Sequence, residues 1–255
     1  MRSCNGEAEL QTGEKMNAHP IGRSDRLEPG TVAQKLPLFQ VMNPPPKLLI
    51  LVGSPRRNGN SAAMAEAVRR GAEAVGSSVT LRHLDDHLTS FLRDCRTCRS
   101  ENGACSISDD FRTLFFDDFL PADGVVFCTP VYWYGVSAQT KAFFDRTFCY
   151  YAASYPESAA VIERMSRKRI GLVLASEETY PGASLGIIHQ IQEYARYTHS
   201  NFVEVVRGIG NRRAEVELDP GNPLVAAEGL GGGMFVRMTS DHRIDTERSS
   251  RVWNE

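Results

Sequence analysis

One short segment, in which a buried strand runs into a glycine-containing loop and then a helix, constrains the fold of this chain most strongly. The apolar run at residues 48–52 predicts a strand covered on both faces, as in parallel sheets that lie between helices. After the loop at residues 53–59, apolar residues recur every four or so positions from Met64 onward. This spacing predicts an amphipathic helix, which Asn60 or Ser61 can cap.

The loop between this strand and helix has the composition of an anion-binding loop. Gly53 and Gly59 permit backbone conformations that other residues resist, and the loop is aimed at a helix N-terminus, whose unpaired N–H groups attract anions. Arg56 and Arg57 add positive charge. The loop has no lysine and no Gly-x-Gly-x-x-Gly, so it differs from nucleoside-triphosphate P-loops and from Rossmann loops. An ordinary βα turn is the alternative to a phosphate-binding loop.

A second loop, which also follows a buried strand, carries three consecutive aromatic residues. The strand is predicted at residues 124–128, and a helix is predicted to begin near Ser137. In an open parallel sheet of order 2-1-3-4-5, the loops after the first and third strands meet where the winding direction reverses. Flat apolar faces and backbone amides suit a planar ring with polar edges. Together the two loops predict a site for a phosphorylated aromatic cofactor; packing on the core or at a subunit interface is the alternative.

These motifs resemble those of the NAD(P)H-dependent FMN reductases of the flavodoxin-like superfamily. The resemblance rests on residues 53–61, 130–135 and 137–146, and it extends over residues 47–208. It implies an α/β fold, a flavodoxin-like three-layer sandwich with a five-stranded parallel sheet of order 2-1-3-4-5. FMN is the implied cofactor, and NAD(P)H is the implied co-substrate.

The resemblance also implies which residues hold the cofactor. The phosphate is expected to contact Ser54, Arg56, Asn58, Asn60 and Ser61. The ring is expected to contact Pro130, Val131, Tyr132, Trp133, Tyr134 and Gly135. Residues 176–182 are a third candidate wall, or else an ordinary surface turn. No catalytic side chain is expected, because the flavin carries the chemistry, and His83 and His87 are interpreted as packing or solvated residues.

The implied activity is an oxidoreductase that passes hydride from NAD(P)H through FMN to a small acceptor. Quinones, nitro or azo compounds, metal ions and free flavin are the candidate acceptors. An iron–sulfur flavoprotein, a flavodoxin-type electron carrier and a module that binds without turnover are the alternatives. The family resemblance further predicts a homodimer or larger homo-oligomer.

The cysteines are the basis of the iron–sulfur alternative. Cys95, Cys98 and Cys105 are closely spaced in the loop after the second strand, and such thiols are able to bind iron–sulfur clusters or zinc. The iron–sulfur flavoproteins have four cysteines in this region, and this loop lacks the fourth. The favoured interpretation is therefore free thiols with no metal site, in a reducing compartment; a zinc site with His83 or His87 and a redox-active Cys95/Cys98 pair are the alternatives.

Other segments complete the predicted order of elements. Strands are expected at residues 79–84, 170–175 and 202–206, and helices at residues 109–119 and 184–197. Residues 1–46 are predicted to be a flexible N-terminal extension, residues 47–210 the FMN-binding domain and residues 211–255 an irregular C-terminal tail.

The charge balance excludes some classes of partner. The 255 residues include 29 basic and 31 acidic ones, for a net charge of −2, and the basic residues are scattered. Nucleic-acid binding is not expected, because it needs a basic surface. No apolar run reaches the roughly 18 residues of a membrane-spanning helix, and no apolar region follows Arg2 as in a secretory signal. We therefore expect a cytoplasmic protein without membrane contact.

Overall fold

The computed structural model describes residues 44–237, in which strands and helices alternate along the chain. The strands are β1 (Lys47–Val52), β2 (Ser78–His83), β3 (Gly124–Pro130), β4 (Arg169–Ser176) and β5 (Asn201–Ile209). The helices are α1 (Asn60–Ala74), α2 (Leu84–His87), α3 (Phe111–Thr113), α4 (Ala138–Tyr151), α5 (Ser158–Met165), α6 (Leu185–Tyr197) and α7 (Pro223–Gly233). None of these helices is long and apolar enough to cross a bilayer. The extension predicted over residues 1–46 lies outside the described residues, except for its last three.

The five strands form one parallel sheet of order β2-β1-β3-β4-β5, which confirms the predicted fold class. Val52 at the end of β1 pairs with Cys128 near the end of β3. Parallel strands end at the same edge of a sheet, so the loops that follow β1 and β3 leave it side by side.

The sheet lies between two layers of helices, and alternate residues of β1 enter opposite cores. Leu48, Ile50 and Val52 pack against α1 and α7, whereas Leu49 and Leu51 face the layer that contains α4 and α6. All five are at most 1% exposed. The continuous apolar run in the sequence therefore reflects burial on both faces.

Stacked aromatic rings fill much of the second core. Phe111, Phe115, Phe119, Phe143 and Tyr150 are each at most 1% exposed, and neighbouring rings lie 5 to 6 Å apart, as in the Phe115–Phe119 pair at 5.4 Å. The helix predicted at residues 109–119 begins two residues later than predicted. Its last turns, Leu114–Phe119, are wound as a π-helix.

Helix α1 begins where the sequence predicts, but neither predicted residue caps it. Gly59 occupies the N-cap position and makes no side-chain cap, while Asn60 and Ser61 are already helical and buried. The prediction of a side-chain cap is therefore wrong, and the polar side chains at this end of α1 are left for other contacts.

The prediction of an irregular tail after residue 210 is also wrong for the described part of that segment. A short 3₁₀ turn, Glu215–Leu218, leads into α7, which completes the layer that contains α1. Val216, Ala227, Leu230 and Met234 from this segment are completely buried. The globular unit therefore extends beyond residue 210, while residues 238–255 lie outside the described range.

Helices α1 and α7 approach each other through glycines. A methyl group added to Gly71 would lie 1.9 Å from the carbonyl oxygen of Glu228, and one added to Gly231 would lie 2.0 Å from that of Val68. Both distances are far below van der Waals contact. Only residues without a side chain allow the two backbones to touch here, which explains why a glycine-rich segment forms a helix in spite of its low propensity.

Candidate functional site

Hydrogen bonds to β3 and within the loop hold the loop after β1 in place. The Gly53 amide donates to the carbonyl of Cys128 in β3, at 2.8 Å, and the Ser54 hydroxyl oxygen accepts from the Arg56 amide at 3.2 Å. The Gly59 amide then donates to the carbonyl of Arg56. The loop folds back on itself and delivers the chain into α1 directly above the end of the sheet.

Polar groups cluster at the first turn of α1, at this edge of the sheet. Amides in the first turn of a helix have no acceptor within it, and the helix dipole makes this end attractive to anions. The side chains of Ser54, Asn60 and Ser61 are 4%, 9% and 2% exposed. Three buried polar side chains thus gather beside an anion-attracting helix end.

The Asn60 side chain has a role that its position in the sequence does not indicate. Its amide group donates to the carbonyl of Gly210 at 2.8 Å, and its oxygen accepts from the Val216 amide at 3.3 Å. The carboxamide thereby fastens the segment after β5 to the start of α1. The contribution of Asn60 to an anion site is consequently its backbone N–H.

The aromatic loop after β3 ends in a tight turn. Tyr132 and Gly135 exchange two backbone hydrogen bonds, of 2.9 and 3.0 Å, and the residues between them, Trp133 and Tyr134, have φ angles of 50° and 59°. Positive φ at both central positions defines a turn that normally favours Asn and Gly. Trp133 is 96% exposed at its tip. An aromatic pair is therefore held outward at an energetic cost.

A buried hydroxyl network joins the two loops. The Ser137 hydroxyl donates to the carbonyl of Gly53 at 2.7 Å, and the Ser137 amide donates to the Thr129 hydroxyl at 3.1 Å. Ser137 also caps α4 by accepting from the Thr140 amide. A methyl group on Gly53 would lie 2.0 Å from the Thr140 hydroxyl oxygen, so this position requires glycine. The network fixes the position of one loop relative to the other.

Between the loops lies an open cavity of about 170 Å³. The structure brings seven of the predicted residues to its lining: Ser54, Arg56, Asn60, Ser61, Pro130, Val131 and Tyr132. Asn58, Trp133, Tyr134 and Gly135 lie outside the lining. The cavity therefore collects four of the five predicted phosphate-binding residues and the base of the aromatic loop, while the tip of that loop projects away.

The loop after β4 forms the third wall that the sequence suggested. Glu177 lines the cavity, and the ring of Tyr180 lies 6.4 Å from that of Tyr134 across the opening. The Ser176 hydroxyl accepts from the Glu178 amide at 3.0 Å and tightens the start of the loop. The loops after β3 and β4 thus meet through exposed aromatic rings.

A fourth wall, formed by residues 210–213 after β5, was not predicted. Asn211, Arg212 and Arg213 line the cavity, and the hydrogen bond from Asn60 to Gly210 joins this wall to the start of α1. The Glu215 carboxylate accepts from the Asn211 and Arg212 amides, both at 2.7 Å, and so fixes this turn. The position of this segment could have predicted the wall, because β5 ends at the same edge of the sheet as β1 and β3.

Only some of the arginines around the cavity form ion pairs with carboxylates. Arg57 makes a two-pronged ion pair with Asp86 after β2, with one contact at 2.8 Å, and this hydrogen bonding holds the pKa of Asp86 below its usual value. Within residues 44–237, no carboxylate lies in ion-pair contact with Arg56, Arg212 or Arg213. Three arginines and one carboxylate, that of Glu177, line the cavity, so the lining has a net positive charge, which favours an anion.

His83 lies at the end of β2, close to the loop after β1. Burial lowers its pKa, and the nearby charge of Arg57 lowers it further. Its Nδ1 atom is buried and has no hydrogen-bond partner among the described residues. A neutral imidazole is favoured here, which agrees with a packing role.

The cysteines do not form a metal centre in the described part of the chain. Cys95, Cys98 and Cys105 line one cavity with Cys149 of α4, but the cavity measures only about 20 Å³. That volume holds about one water molecule, which is far too little for an iron–sulfur cluster. No group of three or more His, Cys, Asp or Glu side chains within residues 44–237 is placed to hold a metal ion. The cysteine arrangement does not fit an iron–sulfur cluster.

Comparison with known proteins identifies the family. Residues 46–217 match the sequence profile of the family described as Flavodoxin-like fold, and the chain belongs to that family. The match ends before α7, which is part of the same globular unit in this structure.

Individual relatives agree with this assignment. A Bacillus subtilis protein named NAD(P)H-dependent FMN-containing oxidoreductase YwqN is 24% identical over 173 residues, which cover 68% of this chain and 90% of that protein. An iron–sulfur flavoprotein of Archaeoglobus fulgidus is 32% identical over 106 residues, which cover 41% of this chain and 46% of that protein. The matches to the iron–sulfur flavoproteins span about half of their length.

Among solved structures, the NAD(P)H:quinone oxidoreductase of Methanothermobacter marburgensis has a similar fold. Its TM-score is 0.58 at 17% identity, with 76% of this chain and 98% of that chain covered. At this level of identity the likeness concerns the fold alone. The function has to be argued from the site.

Proposed function

We propose that this protein is an FMN-dependent oxidoreductase that uses NAD(P)H to reduce a small acceptor. The observation that carries the proposal is the polar cavity at the start of α1, which the loops after β1 and β3 enclose. The Bacillus relative, which matches most of this chain, is named for the same cofactor and co-substrate. The quinone, nitro or azo compound, metal ion or free flavin that serves as acceptor is part of the proposal.

The residues at the cavity fit the phosphate of FMN. Buried hydroxyls of Ser54 and Ser61, the amides of the first turn of α1 and the unpaired Arg56 supply donors and positive charge at one point. A methyl group on Gly59 would lie 3.1 Å from the side chain of Arg56, so the loop is already close-packed around this point. Arg212 and Arg213 add charge from the wall after β5.

The remaining residues would hold and shield the ring. Pro130, Val131 and Tyr132 form the floor and side of the cavity next to the loop after β1. Trp133 and Tyr134, at the tip of this loop, lie outside the cavity lining, and the ring of Tyr134 is 6.4 Å from that of Tyr180. When bound, FMN accepts hydride from the nicotinamide and passes electrons to the acceptor. The chain itself contributes binding, orientation and exclusion of water.

Visible spectroscopy on the purified protein, mixed with FMN if it is colourless, tests this proposal. NADH or NADPH added under anaerobic conditions should bleach the flavin absorbance, and a quinone should restore it with steady oxidation of the nicotinamide. Bound FMN without nicotinamide oxidation would instead indicate an electron carrier. Failure to bind FMN would contradict the proposal and leave only the fold.

Two neighbouring arginines provide a matched test of the cavity. Arg56 lines it, whereas Arg57 is paired with Asp86 outside it. Arg56→Ala should weaken FMN binding about tenfold, because a charge-assisted hydrogen bond contributes about 1.5 kcal/mol or more. Arg57→Ala removes the same charge from the same loop and should have a smaller effect. Equal FMN dissociation constants for the two variants would contradict this assignment.

The assembly and location are part of the same proposal. A homodimer is supported by the exposed rings of Trp133, Tyr134 and Tyr180 beside the cavity, because clustered exposed apolar groups mark interaction sites. A monomer in light scattering with flavin bound would contradict it. A cytoplasmic location is supported by the free thiols of Cys95, Cys98, Cys105, Cys128 and Cys149.

A further inference from the structure

Four cysteines from two separate elements meet at a second cavity, away from the flavin site. Cys95, Cys98 and Cys105 come from the long connection between α2 and α3, and Cys149 comes from the end of α4. The cavity of about 20 Å³ between them is too small for a cluster and admits only a water-sized molecule. The chemistry available here is that of the thiols themselves.

Cys95 is the thiol of this group that solvent reaches. It is exposed, and its sulfur lies 3.0 Å from the Ser106 hydroxyl and 3.4 Å from the Thr97 hydroxyl. These hydrogen bonds, that of Ser106 first, lower the pKa of Cys95 to about 7. The lowered pKa increases the share of Cys95 that is a thiolate near neutral pH, and the thiolate is the reactive form.

Cys98 and Cys149 are held in the neutral form. Cys98 is 4% exposed, and its sulfur lies 3.7 Å from the carbonyl oxygen of Cys149. Burial raises the pKa of Cys98, and burial raises that of Cys149 to about 12. Cys95 and Cys98 therefore line one cavity in different environments, one exposed and one buried, so Cys95 is expected to react first.

Positive groups surround the same cavity. Arg93 and Arg99 both line it, and the Arg99 Nε atom is buried without a hydrogen-bond partner among the described residues. An unpaired buried donor of this kind is costly unless an acceptor visits it. An anionic group within this cavity would find that donor unpaired.

We propose that Cys95 and Cys98 form a peroxide-reactive dithiol site, in which Cys95 is the nucleophile and Cys98 is the resolving thiol. Hydrogen peroxide is the oxidant, and it reaches Cys95 directly because that thiol is exposed. Cys98 is favoured over Cys105 and Cys149 because two residues separate it from Cys95, so the ring that closes is the shortest available. The site is independent of flavin binding.

The chemistry proceeds in two steps. The Cys95 thiolate attacks one peroxide oxygen, the O–O bond breaks, and the products are a sulfenic acid on Cys95 and hydroxide, which takes a proton to become water. The Cys98 sulfur then attacks the Cys95 sulfur, the S–O bond breaks, and the hydroxyl leaves as water with the thiol proton. The two thiols lose two electrons in total, and one peroxide is reduced to two waters.

Peptide mapping after brief exposure to one equivalent of hydrogen peroxide tests this proposal on the full-length reduced protein. The expected product is a Cys95–Cys98 disulfide, while Cys128, completely buried in β3, stays a thiol and serves as the internal control. At pH 7, Cys95 should react roughly tenfold faster in the native protein than in the urea-unfolded chain, where its pKa returns to about 8.5.

Two variants separate the roles of the residues. Ser106→Ala keeps every thiol and should slow the oxidation of Cys95 several-fold at pH 7, because the thiolate loses its nearest donor. Cys98→Ser should leave a sulfenic acid on Cys95 that dimedone traps. A disulfide from Cys95 to Cys105 or Cys149 in the wild type would overturn the role of Cys98. Equal oxidation rates for native and unfolded Cys95 would overturn the site.

Discussion

Asp109 and Arg146 form an ion pair that is almost completely excluded from solvent. Their side chains are 1% and 2% exposed, and one of their two contacts measures 2.8 Å. Asp109 also accepts from the amides of Thr89 and Phe111, and Arg146 lies over the ring of Phe111. Burial alone would raise the pKa of Asp109, but the hydrogen bonds from Arg146 and these amides lower it below its usual value.

Asp109→Asn should therefore destabilise the protein by about 3–5 kcal/mol, because it leaves the buried Arg146 charge without its counterion. Urea unfolding at pH 7 measures the effect. Asp145→Asn, which breaks the exposed Lys141–Asp145 pair on α4, is the control and should cost about 0.5 kcal/mol or less. Similar values for the two variants would show that the buried pair is no more important than a surface one.

His83 should make the stability depend on pH. Its pKa is lowered in the folded state, so between the unfolded value of about 6.5 and the lower folded value only the unfolded chain binds a proton. Stability should fall as the pH falls through this window. Thermal unfolding at pH 7.5 and pH 5 should show a smaller difference for His83→Gln than for the wild type, with His189→Gln on the exposed part of α6 as the control position.

The sequence predicted only those residues of the candidate site whose role depends on their position in a loop. Ser54 and Ser61 follow a buried strand and precede a helix, and this local order was sufficient to locate them at the cavity. The use of the Asn60 carboxamide was not predictable, because its partners are 150 and 156 residues further along. The pairing of Arg57 with Asp86 likewise depends on the tertiary fold.

Among the elements, α7 packs on α1 through backbone contacts, and such contacts are hard to predict from the pattern of apolar side chains. Strands β1 to β5 were predicted from their apolar residues, helices α1 and α6 from apolar residues at helical spacing, and α4 from its position after the aromatic loop. Helix α7 buries Ala227 and Leu230, but its closest contact with α1 is made by the backbone at Gly231, which the apolar pattern does not reveal. The role of Gly231 is visible only in its contact with α1.

A pair of alanine substitutions in α7 tests this contact with effects of opposite sign. Gly231→Ala should destabilise the protein by about 1–3 kcal/mol, because the new methyl group meets the Val68 carbonyl and forces the helices apart. At Gly232 the nearest atom to an added methyl group is 3.4 Å away. Gly232→Ala should be neutral or stabilise the helix by up to about 1 kcal/mol. Urea unfolding of both variants checks the prediction, and a loss of stability at Gly232 alone would contradict it.

At the scale of the whole molecule, the layer formed by α1 and α7 decides where the folded unit ends. A chain truncated after Gly210 loses the buried side chains of Val216, Ala227, Leu230 and Met234 and uncovers the apolar face of α1. It should lack a cooperative thermal transition and bind the dye ANS, as partly packed states do. Truncation after Arg237 keeps α7 and should retain cooperative unfolding. Equal cooperativity in both chains would place the boundary near residue 210 after all.

The Asn60 bridge has a consequence for how the protein is made. A ribosome synthesises the loop after β1 long before Gly210 and Val216, the two residues that form hydrogen bonds with the Asn60 side chain. At about 5–20 residues per second, this delay lasts roughly 10 seconds or more. During that time the apolar face of α1 has no α7 to cover it. The nascent chain must stay unaggregated until α7 emerges, and the cavity lacks its wall of residues 210–213 until they have been synthesised.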